Sequence, residues 1–392
     1  MRCLLFFIVL FYFPSVPEYR QDPLTERIVI VAEERALRPH QFDIENSGLD
    51  DHSETFRKFC PFCEGNESLT PNEIMAFRHS DSLPDHSGWS VRVVPNKFPA
   101  VIQHVDFPRE FEEYGWSSHD DCEFYHPENK LFRKSVPGFG RHEVIVDAPR
   151  HILSISEMTD HEVIDMFRMY QERLKSLRKE ECWKYIQIFK NVGAAAGASI
   201  PHSHSQLLAM PFVPKTILSI WRNAANYSSN AKKIKTKQNL SDCVWCDRLK
   251  SEIQERKRIV EETPHFVALC PFVSRFSGEV EIYPKQHEAD FENNVQISEF
   301  ALLIRRTIIR LERASWKITQ SLAYNLVLNT EPFDFRYPSF KNIFHWHFSI
   351  LPSLARAAGF EWGTGLHINP ISPEKTAVQL ANINTNELNS FQ

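Results

Sequence analysis

Two long stretches of the chain repeat their apolar positions every three or four residues, the period of a helix with one buried face. Val163, Phe167, Tyr170, Leu174 and Leu177 make the first stripe, and Phe300, Ile304, Ile308 and Leu311 the second. Thr159 and Glu162 have the spacing of a capping box, which puts a helix start just ahead of the first stripe. Elsewhere the apolar residues come in short runs rich in β-branched and aromatic types, such as 91–94 and 186–189, and these read as strands. Helices set among short strands, without a regular βαβ alternation, predict an α+β fold of antiparallel sheets with packed helices. The stretch 226–241 breaks the pattern: Ser, Asn and Lys dominate it, so it reads as a linker or exposed loop.

The landmarks on either side of that stretch repeat. Cys60-Pro-Phe-Cys63 is followed by a strand-like run ending in Pro149-Arg-His151, a helical stretch, Tyr185-Ile-Gln-Ile-Phe189 and His202-Ser-His204. Cys243-Val-Trp-Cys246 is followed by a run ending in Pro284-Lys-Gln-His287, a helical stretch, Tyr324-Asn-Leu-Val-Leu328 and His345-Trp-His347. The chain is therefore expected to hold two related halves, 17–225 and 242–392, joined by 226–241 and preceded by an apolar segment, 1–16.

Of its 392 residues 42% are hydrophobic and 24% charged, which suits a soluble globular protein with room for two or three domains. A net charge of -5 and a pI near 6.4 supply no basic footprint for nucleic acid, so a small anionic substrate must be held by local groups. Residues 1–16 resemble the core of a signal peptide, but lack a small-residue cleavage signature and are too short to span a bilayer comfortably. Four of the eight cysteines sit in two tight pairs, while Cys3, Cys122, Cys182 and Cys270 have no obvious partner. That usage favours thiolate metal ligation in a reducing compartment, and hence the cytoplasm.

A C-x-x-C turn offers two thiolates from one knuckle, and a structural zinc site wants four N or S ligands in a tetrahedron. His151, placed after a strand and a proline, and His202 complete a set with Cys60 and Cys63; His287 and His345 do so for Cys243 and Cys246. The rival for Cys60-Pro-Phe-Cys63 is a thioredoxin-like redox pair, which needs a βαβ context with the first cysteine at a helix start. The residues after Cys63 read instead as a turn. Four protein ligands leave no place for a catalytic water, so the two Zn2+ sites are expected to be structural.

The segment with the most pointed chemistry is Gly193-Ala-Ala-Ala-Gly-Ala-Ser199-Ile-Pro-His202-Ser-His204-Ser-Gln206. If the chain is extended from His202, alternate side chains share a face, and His202, His204 and Gln206 form one row. The small residues ahead of it let backbone amides approach a phosphate closely. A neutral imidazole in such a row attacks phosphorus without an activating base, giving a nucleotidyl- or phosphoryl-histidine. A polar strand edge is the competing reading. His142, beside Arg141, reads as a surface residue.

These residues resemble the galactose-1-phosphate uridylyltransferase family, a two-domain branch of the histidine triad superfamily, and within it the ADP-glucose phosphorylase type. The resemblance also takes in Tyr19-Arg-Gln-Asp-Pro-Leu-Thr25, Arg35-Ala-Leu-Arg38-Pro, Pro95-Asn-Lys-Phe-Pro-Ala100 and Gly359-Phe-Glu-Trp-Gly-Thr-Gly365. It implies two histidine-triad-like halves and a ping-pong nucleotidyl transfer. His204 would attack the α-phosphorus of a nucleoside-diphosphate hexose, releasing hexose 1-phosphate, and hexose 1-phosphate or phosphate would then collect the nucleotide.

By the same resemblance, Gln206 donates to a phosphate oxygen and Ser199 helps stabilise the charge. Arg35 and Arg38 hold the diphosphate, Asn96 and Asn191 line the nucleotide site, and Glu361 contacts the sugar. Homodimerisation is a family expectation. Superfamily hydrolases carry a further histidine where this chain has Gln206; a glutamine cannot shuttle a proton, which favours transfer over hydrolysis. Ser203 departs from the uridylyltransferases, which commonly have proline there, and the second knuckle looks like the two-zinc phosphorylase branch, so uridine and adenine both stay open. His345 and His347 alternatively match a histidine-rich second metal site of the uridylyltransferases. The rival functions are a nucleotide-sugar or dinucleotide hydrolase and a zinc-stabilised nucleotide-binding protein without catalysis.

Overall fold

The computed structural model describes residues 16–22, 27–38, 54–103, 134–180, 182–238, 240–314, 322–333 and 340–385. Cys3, Cys122 and the apolar segment 1–16, apart from Val16, lie outside the described residues. The helices that bear on the site are α1 (Asp160–Arg178), α2 (Lys215–Gln238), α3 (Val244–Glu255) and α4 (Ile297–Arg313). α1 starts where the capping box puts it. The Thr159 hydroxyl accepts the Glu162 N–H, and Glu162 Oε2 accepts the Thr159 N–H at 2.7 Å. Both apolar stripes are buried, and each large side chain so removed from water contributes about 1.5–3 kcal/mol.

A small sheet of β1 (Glu18–Gln21), β2 (Ile28–Val31) and β5 (Lys134–Pro137), in the order β2-β1-β5, leads directly into the short 3-10 turn 33–37 that carries Arg35. The remaining ten described strands form one continuous antiparallel sheet. From one edge to the middle it runs β3 (Met75–Arg78), β4 (Trp89–Pro95), β6 (Arg141–Val146), β8 (His204–Met210) and β7 (Tyr185–Val192). From the middle to the other edge it runs β12 (Tyr324–Asn329), β13 (His347–Pro352), β11 (Val280–Pro284), β10 (Phe266–Leu269) and β9 (Ile259–Glu262).

The strand order is thus the same when read outwards from the β7–β12 seam, where Asn191 faces Asn325 and Lys190 faces Leu326. Two half-sheets ending at β7 and β12 would each expose a row of unpaired backbone groups, and pairing those edges satisfies them. α1 and α4 cover one face of this sheet in a shared core, meeting Ile186, Ile188, Leu207 and Leu326. The opposite face carries two smaller apolar clusters, one around each C-x-x-C knuckle.

The stretch expected as a linker or loop, 226–241, is mostly helix, because α2 runs through it to Gln238. Ala224, Ser228 and Ala231 stand at i, i+4 and i+7 and are buried. A helical face made of small residues carries no large apolar signal, which is why the hydrophobic pattern passed over it. Among the described residues no helix is long and apolar enough to cross a membrane.

Candidate functional site

β8 begins at His204 and pairs with β6 on one side and β7 on the other. Its alternation sends His204 and Gln206 to the face opposite α1 and α4, beside Val144 and Val146, while Ser205, Leu207 and Ala209 face the helices. His202 precedes the strand, and all three row residues are buried.

His204 Nδ1 donates to the His202 carbonyl at 2.7 Å, so the lone pair of the neutral ring sits on Nε2. Burial is the first reason that the His204 imidazole is pushed down to about 3, and the nearby charges of Lys190, His202 and Arg38 add to it. The ring is therefore a neutral nucleophile at ordinary pH. The Phe62 ring packs 5.1 Å from it.

Gln206 is met by a residue that the sequence reading left on the surface. His142 on β6 is buried, because the turn after β4 folds over it: Ala100 N–H donates to its Nδ1 at 2.9 Å. The single proton of the neutral ring is thereby placed on Nε2, which donates to Gln206 Oε1 at 3.0 Å. With its oxygen so engaged, Gln206 keeps its amide nitrogen as the donor end.

Arg35 Nη1 donates to the Phe98 carbonyl at 2.6 Å and lies 3.4 Å from His142 Nδ1. Burial first, and the guanidinium second, hold His142 down to about 4. Asn96 accepts from Phe98 N–H at 2.9 Å and brings its Nδ2 to 3.1 Å from His142 Nε2. The structure thus brings Arg35, Asn96 and Gln206 together around His142. Arg38 lies close enough for its charge to lower both histidines. A cleft of about 550 Å3 opens beside this group, lined in part by Ile74, Pro95, Asn96, Pro99, Val101 and His142.

The glycine-rich lead-in folds as a short turn at 194–196. It is bracketed by Gly193 and Gly197, both at positive φ, where other residues are strained. Gly193 also lies against Ala323, too close for any side chain. Asn191 Oδ1 accepts from Asn325 Nδ2 at 2.9 Å, and the same amide donates to Ala196 O at 2.8 Å, pinning this turn to the second half. Ser199 is buried in the segment that follows. Glu361 is not brought to the row within this chain: it lies exposed on the short helix Gly359–Thr364, where it accepts the Ala358 N–H.

The ligand atoms of Cys60, Cys63, His151 and His202 lie within 4.8 Å of one another, and so do those of Cys243, Cys246, His287 and His345. Thiolate-to-imidazole separations are 3.4–3.5 Å in the first group and 3.3–3.5 Å in the second. Tetrahedral bonds of about 2.0–2.3 Å require donors about 3.5 Å apart, so both groups fit such an ion. His202 Nε2 donates to Ala148 O, His345 Nε2 to Pro284 O and His287 Nε2 to Lys341 O, which turns each Nδ1 inward. In each pair the shared sulfur contact drives one thiol down, Cys63 and Cys243, and its partner up.

The second half also repeats the row, with different surroundings. His347 Nδ1 approaches His345 O at 3.2 Å, as His204 does His202, but the His347 ring stacks on Tyr283 at 4.6 Å. Ser349 stands where the first row has Gln206. Facing it across the strand pair is Glu281, in the place that Val144 holds opposite Gln206.

A set of residues missed in the sequence lies behind β8. Lys190 and Asp147 are buried ion partners at 2.7 Å on the helix-facing side. Charged residues scattered along a strand pattern look like solvated positions until the neighbouring strands are known.

An antiparallel α+β sheet bearing a His-x-His-x-Gln row with a neutral His204, and one Cys2His2 group in each half, is suited to group transfer at phosphorus. Residues 14–214 match the family model of the galactose-1-phosphate uridyl transferase N-terminal domain, and 140–386 match a domain family of unknown function, DUF4921. ADP-glucose phosphorylase of Arabidopsis thaliana is 30% identical over 364 residues, covering 92% of this chain and 91% of that protein. The galactose-1-phosphate uridylyltransferase of Thermotoga maritima is 30% identical over 373 residues, covering 93% and 97%. The crystal structure of the Arabidopsis enzyme with bound ADP-glucose superposes with a TM-score of 0.64 at 29% identity, covering 95% of this chain and 100% of that one. The chain belongs to the galactose-1-phosphate uridyl transferase family and is a nucleotidyltransferase.

Proposed function

We propose that this protein moves a nucleoside monophosphate between a nucleoside-diphosphate hexose and hexose 1-phosphate or phosphate, through a nucleotidyl-histidine at His204. The observation that carries this reading is the His204 Nδ1–H bond to His202 O, which leaves a neutral Nε2 lone pair at the head of the row. Nε2 attacks the α-phosphorus, and the bond from that phosphorus to the bridging oxygen breaks. Hexose 1-phosphate leaves with the oxygen and its electrons. A phosphate oxygen of the second substrate then attacks the same phosphorus and regenerates the imidazole.

In this scheme the Gln206 amide and the backbone and hydroxyl of Ser199 donate to the α-phosphate oxygens, and Arg35 and Arg38 hold the departing diphosphate charge. Asn96 and Asn191 face the nucleotide, with the cleft beside His142 taking the base. Glu361 and homodimerisation belong together in the proposal. The exposed segment around Glu361 bares Phe360, Trp362, Leu366 and Ile368, and so is a part of the chain free to reach a second copy's row. We assign zinc to both Cys2His2 groups, because paired thiolates with imidazole nitrogens are its usual donors. It would serve there as a structural tie, with four protein ligands closing its sphere, and cysteines used as metal ligands rather than in disulfides suit the reducing cytoplasm. The second row has Ser349 in place of the Gln206 donor and its His347 ring is stacked on Tyr283, so one nucleotidylated histidine per chain is expected.

The test is incubation of the purified protein with α-phosphate-labelled UDP-glucose or ADP-glucose, followed by a search for acid-labile label. Label on His204, absent in His204→Gly and retained in His347→Ala, supports transfer, and the donor that gives it names the base. Turnover with water alone would favour the hydrolase. No label from either donor, in folded metal-loaded protein, would leave the binding-protein reading.

A further inference from the structure

We infer that Lys190 and Asp147 are positioning residues for His204, a role that rests on the nucleotidyl-transfer reading above. The two side chains reach beneath β8 from its neighbours: Lys190 from β7, and Asp147 from the residue that follows β6. The Lys190 ammonium spends its three hydrogens on Asp147 Oδ2 at 2.7 Å, Ser203 Oγ at 2.7 Å and the His204 carbonyl at 3.2 Å. Asp147 also accepts from Ser205 Oγ at 3.0 Å and Ser203 Oγ at 3.3 Å, and its N–H donates to Ser203 O at 3.2 Å. Tyr170 of α1 closes the set against Ser205 Oγ.

Both neighbours of His204, and its own carbonyl, are therefore tied to one buried ion pair. On the row face, among the described residues, the His204 side chain has one hydrogen bond, through Nδ1, and the Phe62 ring against it. Together the two anchors set where Nε2 points.

Stability does not account for this arrangement. A buried ion pair is seldom worth more than apolar residues of the same volume, and the flanking inward positions of β7, Ile188 and Val192, are apolar. Ser203 also finds its use here. Its N–H donates to Ile152 O at 2.6 Å and its hydroxyl joins the pair, two bonds that the proline common in uridylyltransferases does not make.

The test compares wild type with Lys190→Met/Asp147→Leu, which removes both charges together. Melting temperature, metal content by native mass spectrometry, and single-turnover labelling of His204 across donor concentrations are measured. The expected result is a folded, fully metallated protein with an equal or higher melting temperature and a maximal labelling rate lower by on the order of 100-fold, with half-saturation nearly unchanged. A purely structural pair would lower the melting temperature and leave the rate. A wild-type rate in the folded double variant overturns the inference. Should that variant not fold, Ser203→Ala/Ser205→Ala decides, since it cuts the two hydroxyl ties while leaving the ion pair intact. A drop of roughly tenfold supports the inference, and an unchanged rate overturns it. Wild-type protein that never labels His204 refutes the transfer reading instead, and is scored first.

Discussion

His142→Ala tests whether the row depends on a residue that the sequence placed on the surface. The substitution deletes the Nε2–H bond to Gln206 Oε1 and leaves the Ala100 N–H without its acceptor. Each stranded buried group costs about 1–3 kcal/mol; water entering the vacated space recovers part of this, so a stability loss of about 2 kcal/mol is expected. The Gln206 carboxamide, released from its partner, gains roughly three rotamers and two amide orientations, and restoring one of about six states costs about 1 kcal/mol.

That sets a lower limit of about sixfold on the fall in His204 labelling, and complete loss of one donor to the phosphate sets an upper limit of about 100-fold to 1,000-fold. His142→Gln, whose amide nitrogen replaces Nε2, should recover part of the rate. Single-turnover transfer of labelled nucleotide to His204, with melting curves on the same samples, reads all three proteins. The reasoning fails if folded His142→Ala labels His204 at the wild-type rate while Gln206→Ala does not.

Other expectations follow from the same geometry. His142 is held neutral at about 4 in the fold, while an unfolded histidine protonates near 6.5. The unfolded chain therefore binds more protons as pH falls, and this contribution, about 3 kcal/mol, is present above about 6.5 and lost progressively toward 4. Melting temperatures measured from pH 7.5 to 4.5 should decline across that window, and by less in His142→Ala; parallel curves would contradict the assignment. If the proposed zinc is bound there, Cys63→Ser should cost the first group its metal and His204 its labelling, because His202 belongs to that group and supplies the carbonyl that orients His204. Cys246→Ser should lower the melting temperature and metal count while labelling stays within a few-fold of wild type; equal loss of labelling in both would show that the two groups are not separable.

Local periodicity and spacing settled a good part of this protein. Three-to-four spacing of apolar residues and the Thr159/Glu162 box located α1, and the same spacing located α4. The two-residue period of an extended chain put His204 and Gln206 on one face before any strand partner was known. Two C-x-x-C pairs with histidines at matching places in both halves pointed to metal ligation rather than redox chemistry, and the duplicated landmarks named the four histidines that complete the two groups.

What the sequence did not determine depends on which strand lies beside which. His142 is polar, in a run whose neighbours look equally able to face solvent. Only the pairing of β6 with β4 and β8, and the turn to Ala100 folding over it, make it a buried donor to Gln206. Lys190 and Asp147 are 43 residues apart, and a charge carries no mark of its partner until β8 is placed between them. α2 hid behind small residues, and the fusion of two half-sheets into one came from edges that only the folded chain exposes. Period and spacing are local properties of the backbone, whereas burial, ion pairing and register are set by contacts between distant segments, and for those the tertiary structure alone was decisive.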